Sequence, residues 1–298
     1  MGIFKPNVVK MRSKKDVVGL VKGLNYIKDC NVRLESARAL GMIGDEESTQ
    51  ALVQSLSDKS SEVRSATAKA LGSKSFVNSN NSGVVKALLQ IIDDSDSDVR
   101  KSVVESLGLL KNPLAVDSLI RLLQNDIPNI QMETARALGM IKDTVAVGAL
   151  IQALDNEDWL IKSSAAESLG KIGDEEAVDA LIQAMNDPNR TVRLEIAVAL
   201  SKIGEPAIEK IFEACKHKNS RIRLGVRMAL GMIKDKNSVE SLIKGLKSDV
   251  SQVREKAAEA LGEIGDKKAE DFLDELTKDE DEEVRRSARI ALTKIRGN

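Results

Sequence analysis

The sequence predicts an all-α fold, a right-handed α-solenoid in which two-helix units stack into an α-α superhelix. Three observations carry this. One phrase recurs along the 298 residues with near-constant spacing, each copy contains two amphipathic helical segments, and aromatic residues make up only 2% of a chain that is 42% hydrophobic. The core must therefore be built from Ala, Leu, Ile and Val.

The phrase is plainest from Ile161 to Thr191, IKSSAAESLGKIGDEEAVDALIQAMNDPNRT. In its first half Ile161, Ala165, Ala166, Leu169 and Ile172 recur at three- and four-residue steps, with Lys162, Ser163, Glu167 and Lys171 on the other side. That period is an amphipathic helix, called A. Its alanines keep the packing face small and allow a neighbouring helix to come close. Gly173-Asp174 ends it: glycine tolerates the left-handed conformation of a helix end, and Asp174 can accept hydrogen bonds from the free amides opening the next segment. Helix B follows, with Ala177, Val178, Leu181, Ile182 and Met185 on its apolar stripe, and Asp187-Pro188-Asn189 stops it.

An apolar-basic pair opens each A helix: Val32-Arg33, Val63-Arg64, Val99-Arg100, Ile161-Lys162, Val192-Arg193, Ile222-Arg223, Val253-Arg254 and Val284-Arg285, with Ile130-Gln131 in the same register but uncharged. The usual interval is that from residue 161 to residue 192. It implies stacked units, none able to bury its apolar face alone. These anchors, with ALGMIGDEE at Ala39–Glu47, ALGMIKD at Ala137–Asp143 and Ala229–Asp235, SLGKIGDEEAV at Ser168–Val178 and ALGEIGD at Ala260–Asp266, resemble the short HEAT repeats called PBS-lyase HEAT-like. The resemblance runs through nearly the whole chain. It implies stacked A-B hairpins with the B helices on the concave side. For function it implies little, because members include chromophore lyases, metal enzymes and adaptors.

Taken in order, Val8–Met11 reads as a truncated A helix and Asp16–Leu24 as an unpaired B helix, giving an amino-terminal cap over residues 1–30. Eight A-B repeats follow over 31–282, and a charged last helix over 283–298 is the carboxy-terminal cap. A solenoid has no fixed size limit, so residues 1–298 are expected to be one domain. The long interval between Val63 and Val99 is accommodated at Ser73–Ser82 (SKSFVNSNNS), read as a protruding loop, either a binding loop or a tolerated insertion. Near Gly204-Glu205-Pro206 one residue is lost, with proline welcome at the start of a helix.

Forty-five basic against forty-six acidic residues give a net charge of −1, no field with which to gather nucleic acid or an anionic membrane. No apolar run is long enough to span a bilayer, and the start MGIFKPNVVKMRSKKD has no signal-peptide core; Pro6 stands where a myristoylation signal needs a small hydroxyl residue. Cys30 and Cys215 show no pairing pattern, which fits a reducing cytoplasmic setting. A monomer is expected.

Stacking in register turns equivalent positions into rows. The basic row (Arg33, Arg64, Arg100, Lys162, Arg193, Arg223, Arg254, Arg285) could hold phosphates, but Asp58, Asp94, Asp187 and Asp279 precede such residues, so a structural ladder of charge-assisted hydrogen bonds between neighbouring turns is expected. The middle of the exposed B face reads Gln54, Gln90, Arg121, Gln152, Gln183, Glu213, Lys244 and Glu275, the candidate concave binding row; Gln both donates and accepts, yet is equally an ordinary solvated residue. One turn earlier lies an acidic row, Asp117, Asp179, Glu209, Glu240 and Asp271, and one turn later Lys216, Lys247 and Lys278. Such stripes suit a basic or mixed-charge polypeptide, or simply answer the helix dipole. Met42, Met140 and Met232 share a half-exposed position late in helix A, and Trp159 sits just before an A helix, where it staples the turn or anchors a partner.

One histidine, His217, cannot furnish the repeated His-Glu pairs on which HEAT-repeat metal hydroxylases depend, so no metal site is expected. Cys215 and His217, two apart, are a poor nucleophile pair with no third group to orient the ring. No Gly-rich phosphate loop and no paired-cysteine zinc spacing occurs. Lyases of the resembling family need a cavity for a tetrapyrrole, which four Phe, one Tyr and one Trp supply poorly, and DNA glycosylases need a basic, aromatic groove. The expected function is a non-catalytic, cofactor-free scaffold binding a protein or peptide on its concave face. The alternative is a lyase or accessory factor for a prosthetic group, with a nucleic-acid-binding solenoid less favoured still.

Overall fold

A computed structural model of the chain describes residues 5–73 and 81–297. The chain is an α-solenoid, and no strand occurs among the described residues. It divides into two compact units, Met1–Ala146 and Val147–Asn298.

The first unit contains α1 (Val8–Ser13), α2 (Val17–Leu24), α3 (Cys30–Ile43), α4 (Glu46–Ser55), α5 (Ser61–Leu71), α6 (Ser82–Leu89), α7 (Ser97–Leu110), α8 (Val116–Asn125) and α9 (Pro128–Ile141). Of these α3, α5, α7 and α9 are A helices and pack in succession, with α4, α6 and α8 as their B partners. The second unit contains α10 (Val147–Ala153), α11 (Trp159–Ile172), α12 (Val178–Ala184), α13 (Arg190–Ile203), α14 (Ile208–Ala214), α15 (Ser220–Gly231), α16 (Val239–Gly245), α17 (Ser251–Ile264), α18 (Glu270–Leu276) and α19 (Glu282–Arg296). Here the odd-numbered helices are A and stack in order, and the even-numbered ones are B. Most of the predicted Ser73–Ser82 loop lies outside the described residues; helix α6 already begins at Ser82.

Two leucine positions make the core of each unit. On the A helices Leu40, Leu71, Leu107 and Leu138, then Leu169, Leu200, Leu230 and Leu261, are fully buried. On the B helices Leu52, Leu88 and Leu119, then Leu150, Leu181, Ile211, Leu242 and Leu273, are buried equally. Each contributes about 1.5–3 kcal/mol by leaving water.

The A helices approach closely because of the glycine that follows the core leucine. A Cβ built on Gly170 would lie 2.6 Å from Ala199 Cα on the next A helix, and one on Gly41 would lie 2.6 Å from Ala70 Cβ. Side chains cannot stand that near, so glycine faces alanine and the two backbones share the gap.

Two local expectations need correction. Helix B does not open directly as an α-helix after Asp174: a 3₁₀ turn, Glu175–Ala177, comes first, and similar turns occur at Pro113–Ala115, Thr144–Ala146, Glu205–Ala207, Lys236–Ser238 and Lys267–Ala269. Asp174 accepts from the Glu176 amide two residues on, at 2.9 Å, and Asp45 from the Ser48 amide three residues on, yet that span does not choose between the turns: Asp158 also accepts two residues on and opens an ordinary α-helix, and the 3₁₀ turn after Gly204 has no side-chain cap. Trp159 is not in the preceding turn but is the first residue of α11, because Asp158 caps the helix through the Leu160 amide at 2.8 Å. The indole stays 44% exposed.

The predicted left-handed helix ends are present at Gly44, Gly173 and Gly265. Lys111 (φ 52°) and Lys142 (φ 63°) take the same conformation without being glycine, a costly choice for a residue with a Cβ.

Candidate protein-binding surface

The B helices are short amphipathic elements whose apolar stripe is spent on the core, so their outer positions face solvent. In the first unit Gln54 on α4, Gln90 just past the end of α6 and Arg121 on α8 are exposed. In the second, Gln152 on α10, Gln183 on α12, Glu213 on α14, Lys244 on α16 and Glu275 on α18 are exposed in the same register. Gln90 is the departure from the expected mid-helix placement, because α6 ends at Leu89.

The flanking rows are more internally engaged than their sequence positions imply. Asp117, Asp179, Glu209, Glu240 and Asp271 are all exposed. Yet Lys210 Nζ lies 2.6 Å from Asp179, Lys244 Nζ 3.9 Å from Glu209, and Lys268 Nζ 3.9 Å from Glu240. Each lysine comes from the repeat after its carboxylate. The acidic row is thus partly neutralised in place, which weakens the expected negative edge. Among the lysines, Lys216 lies 2.7 Å from Asp249, Lys247 sits 5.5 Å above the Phe272 ring, and Lys278 is exposed. In the first unit Arg121 Nη2 donates to Asp93 at 2.9 Å.

The basic row forms the expected ladder, with a geometry the sequence did not specify. Where an arginine rung is complete, the guanidinium reaches in two directions. Arg64 Nη1 donates back to the Asp58 carbonyl at 2.8 Å, while its Nε and Nη2 donate forward to the two oxygens of Asp94 at 2.7 and 2.8 Å. Arg100 repeats this with the Asp94 carbonyl and the Asp126 carboxylate, and Arg254 with the Ser248 carbonyl and the Asp279 carboxylate. Arg33 pairs forward with Asp58, and Lys162 with Asp187. Asp58, Asp94, Asp187 and Asp279 also accept the backbone amide two residues on, as Asp58 does from Ser60, whereas Asp126 accepts that of its neighbour Ile127. Asp126 was missed as a rung because it stands one place nearer its anchor, Ile130, than the others stand to theirs. The hydrogen bonds from Arg64, Arg100 and Arg254 hold the carboxyls of Asp94, Asp126 and Asp279 below the usual range.

On the A side of the first unit lies a depression of about 660 Å³, between α3 and the start of α7, with the small residues Ser65, Ala66 and Ala70 of α5 as its floor. Leu34 and Met42 form one wall, and Met42 is 67% exposed. Met140 and Met232 are half-buried. Sequence reasoning marked Met42 but not the floor, whose signal was the run of small residues at outward positions of α5.

Cys215 is buried, and burial pushes its thiol up to about 11, so it is protonated at neutral pH. His217 Nδ1 accepts the Asn219 amide at 3.1 Å, occupying the turn position that Asp58 and Asp279 fill elsewhere. These two side chains have structural tasks, and nothing in their geometry activates a nucleophile. Among the described residues no group of three or more His, Cys, Asp or Glu is placed to hold a metal ion, and no helix is long and apolar enough to cross a membrane.

The sequence matches the family model described as HEAT repeats over residues 17–80, 85–168, 147–227, 180–259 and 208–293. No curated protein sequence matches it. Among solved structures, the fold is similar to the crystal structure of an engineered protein, with a TM-score of 0.53 and 25% identity over 97% of this chain and 90% of that one. The complex of CpcE and CpcF of phycocyanin lyase from Nostoc sp. PCC7120 aligns over 71% of this chain and 94% of that one, with a TM-score of 0.42 and 23% identity.

Proposed function

The chain belongs to the HEAT-repeat family, and from that premise we propose that it is a non-catalytic scaffold that binds an extended segment of another protein along the outer face of its B helices. One observation carries this reading: exposed glutamines recur at equivalent B-helix positions, Gln54 and Gln90 in the first unit, Gln152 and Gln183 in the second. Neighbouring helices stack at about 8–10 Å, close to three residues of an extended strand at about 3.3 Å each. A peptide laid across the two glutamine-bearing repeats of either unit would therefore meet two amides about three residues apart, and an amide can serve both a backbone N–H and a carbonyl. Because Lys210, Lys244 and Lys268 already answer part of the acidic row, the partner suited to this face is mixed in charge rather than strongly basic.

The test is affinity capture from the source cell's lysate with the native protein beside a variant carrying Gln152→Ala, Gln183→Ala, Glu213→Ala and Lys244→Ala. All four side chains are exposed, so the variant should melt with the native protein. A partner retained by the native protein and lost by the variant supports the B-face reading. Equal capture by both removes it, and a coloured tetrapyrrole bound to both would replace it with a prosthetic-group role.

A further inference from the structure

The ladder is incomplete in the second unit. Arg193 and Arg223 hold the same posture as the arginines of completed rungs. Arg193 Nη1 donates to the carbonyls of Asp187 (2.8 Å) and Pro188 (2.9 Å), and Arg223 Nη1 to those of His217 (2.7 Å) and Lys218 (2.9 Å). In completed rungs the remaining edge, Nε with Nη2, grips an aspartate of the next turn. For Arg193 and Arg223 that edge has no partner among the described residues.

The cause is readable in the sequence. The turn positions that supply the carboxylate elsewhere are occupied by His217 and Ser248. Both still do the local half of the aspartate's work: His217 Nδ1 accepts the Asn219 amide at 3.1 Å, and Ser248 Oγ the Val250 amide at 3.2 Å. Neither supplies negative charge. With Nδ1 accepting, the neutral ring carries its proton on Nε2, which adds a donor where the other rungs have an acceptor. Two guanidiniums that cannot deprotonate are thus left half-buried and unpaired on adjacent A helices. Lys218, Arg190 and Arg221 are exposed on the same turns. The two carboxylates there are already paired, Asp187 with Lys162 and Asp249 with Lys216.

We propose that these open rungs, Arg193 and Arg223, are a docking site for an acidic peptide segment whose own carboxylates complete the ladder. The molecule supplies the template: Arg64, Arg100 and Arg254 hold carboxylates through Nε and Nη2 at 2.7–2.8 Å. With adjacent helices about 8–10 Å apart, carboxylates three residues apart on a polyproline II segment, which advances about 9 Å per three-residue turn and so returns both to one face, reach both rungs. This site is on the turns that enter the A helices and is independent of the glutamine row.

The experiment is fluorescence anisotropy with a labelled hexapeptide bearing aspartate at its second and fifth positions, an asparagine counterpart, and inorganic phosphate as competitor. The native protein binds the aspartate peptide and not the asparagine one. The double variant Arg193→Gln with Arg223→Gln weakens binding at least about tenfold, the scale of one lost charge-assisted hydrogen-bonded pair. The more telling variant is His217→Asp with Ser248→Asp, which fills the rungs from within. It loses peptide binding by a similar factor while its melting temperature rises, a combination that generalised damage cannot produce. Unchanged affinity in this aspartate variant, equal binding of the asparagine peptide, or no binding by the native protein at millimolar peptide overturns the proposal. Phosphate binding more tightly than the peptide also overturns it, by showing a phosphate site instead.

Discussion

Gly170→Ala sets two general effects against each other at one atom. Alanine is favoured over glycine within a helix by about 1 kcal/mol, so on propensity alone the substitution should stabilise. The structure opposes this. The new Cβ would sit 2.6 Å from Ala199 Cα and 3.0 Å from Ala199 Cβ. Ordinary contact between such atoms begins near 3.5 Å, so α11 and α13 must part by roughly 1 Å, loosening the packing of Leu169 and Leu200 beside it. Overpacking of this kind costs about 1–3 kcal/mol, and because backbone rather than a side-chain tip lies opposite, the upper end applies. The net is a loss of about 2 kcal/mol, or roughly 3 °C of melting temperature for a chain of this size at about 2.1 cal/mol/K of unfolding entropy per residue. Gly148→Ala is the matched control, for it is exposed on α10 with nothing within 4 Å of its new Cβ. It should gain up to about 1 kcal/mol. Differential scanning calorimetry and urea titration of both variants decide the matter. If Gly170→Ala rises with Gly148→Ala, the close approach does not constrain the stack and the packing argument is wrong.

The ladder makes stability acid-sensitive: since Asp94, Asp126 and Asp279 are held below the ordinary carboxylate range, their contribution is complete above an unfolded value of about 3.9 and is lost as pH falls through the lower folded values. Urea midpoints should fall from about pH 5 downward, and Asp126→Asn should be less stable at pH 7 but show a shallower fall; an unchanged slope would refute the linkage. Lys142→Gly relieves a left-handed residue at φ 63° and should stabilise by about 0.5–1 kcal/mol, after the extra unfolded-state entropy of glycine is subtracted; a drop in the thermal midpoint would count against strain there. Thiol titration of the native protein should modify the exposed Cys30 within the reagent's ordinary time and leave Cys215, buried and pushed up to about 11, to react only on unfolding; prompt reaction of both would contradict that burial.

Much of the architecture was legible because repetition multiplies weak signals. A single Val-Arg pair means nothing, but the run from Val32-Arg33 to Val284-Arg285 fixes the phase of every A helix, and the Gly-Asp or Lys-Asp that follows ALGMI or SLGKI fixes where it ends. The same run hid what distinguishes one repeat from another. Asp174 read as an ordinary cap, and nothing in that single repeat announced the 3₁₀ entry at Glu175–Ala177. The role of the glycines at 41 and 170 is not visible within their own repeat, because the reason for them is an alanine on another helix. The acidic row looked like a free negative stripe, since nothing in one repeat says that Lys210 or Lys244 of the next will reach back to it. The exposed glutamines were visible as a pattern, but exposure alone does not distinguish a ligand-binding amide from a solvated one.

In a stacked array, function is most readable where a repeat stops doing what its neighbours do. Every completed arginine rung joins an A helix to the following turn through two hydrogen bonds and an opposite charge, so the absence of a carboxylate at 217 and 248 removes support from both junctions at once. A tolerated drift would be expected to shed the arginine along with its partner, because an unpaired half-buried guanidinium costs more than a neutral side chain in its place. Arg193 and Arg223 remain, with their Nη1 atoms anchored as elsewhere. A retained charge with its gripping edge open is what a site that borrows its counter-charge from outside requires. The His217→Asp, Ser248→Asp variant separates the two accounts: stabilisation with unaltered acidic-peptide affinity would make the gap a mere defect, whereas stabilisation with loss of that affinity makes it a site.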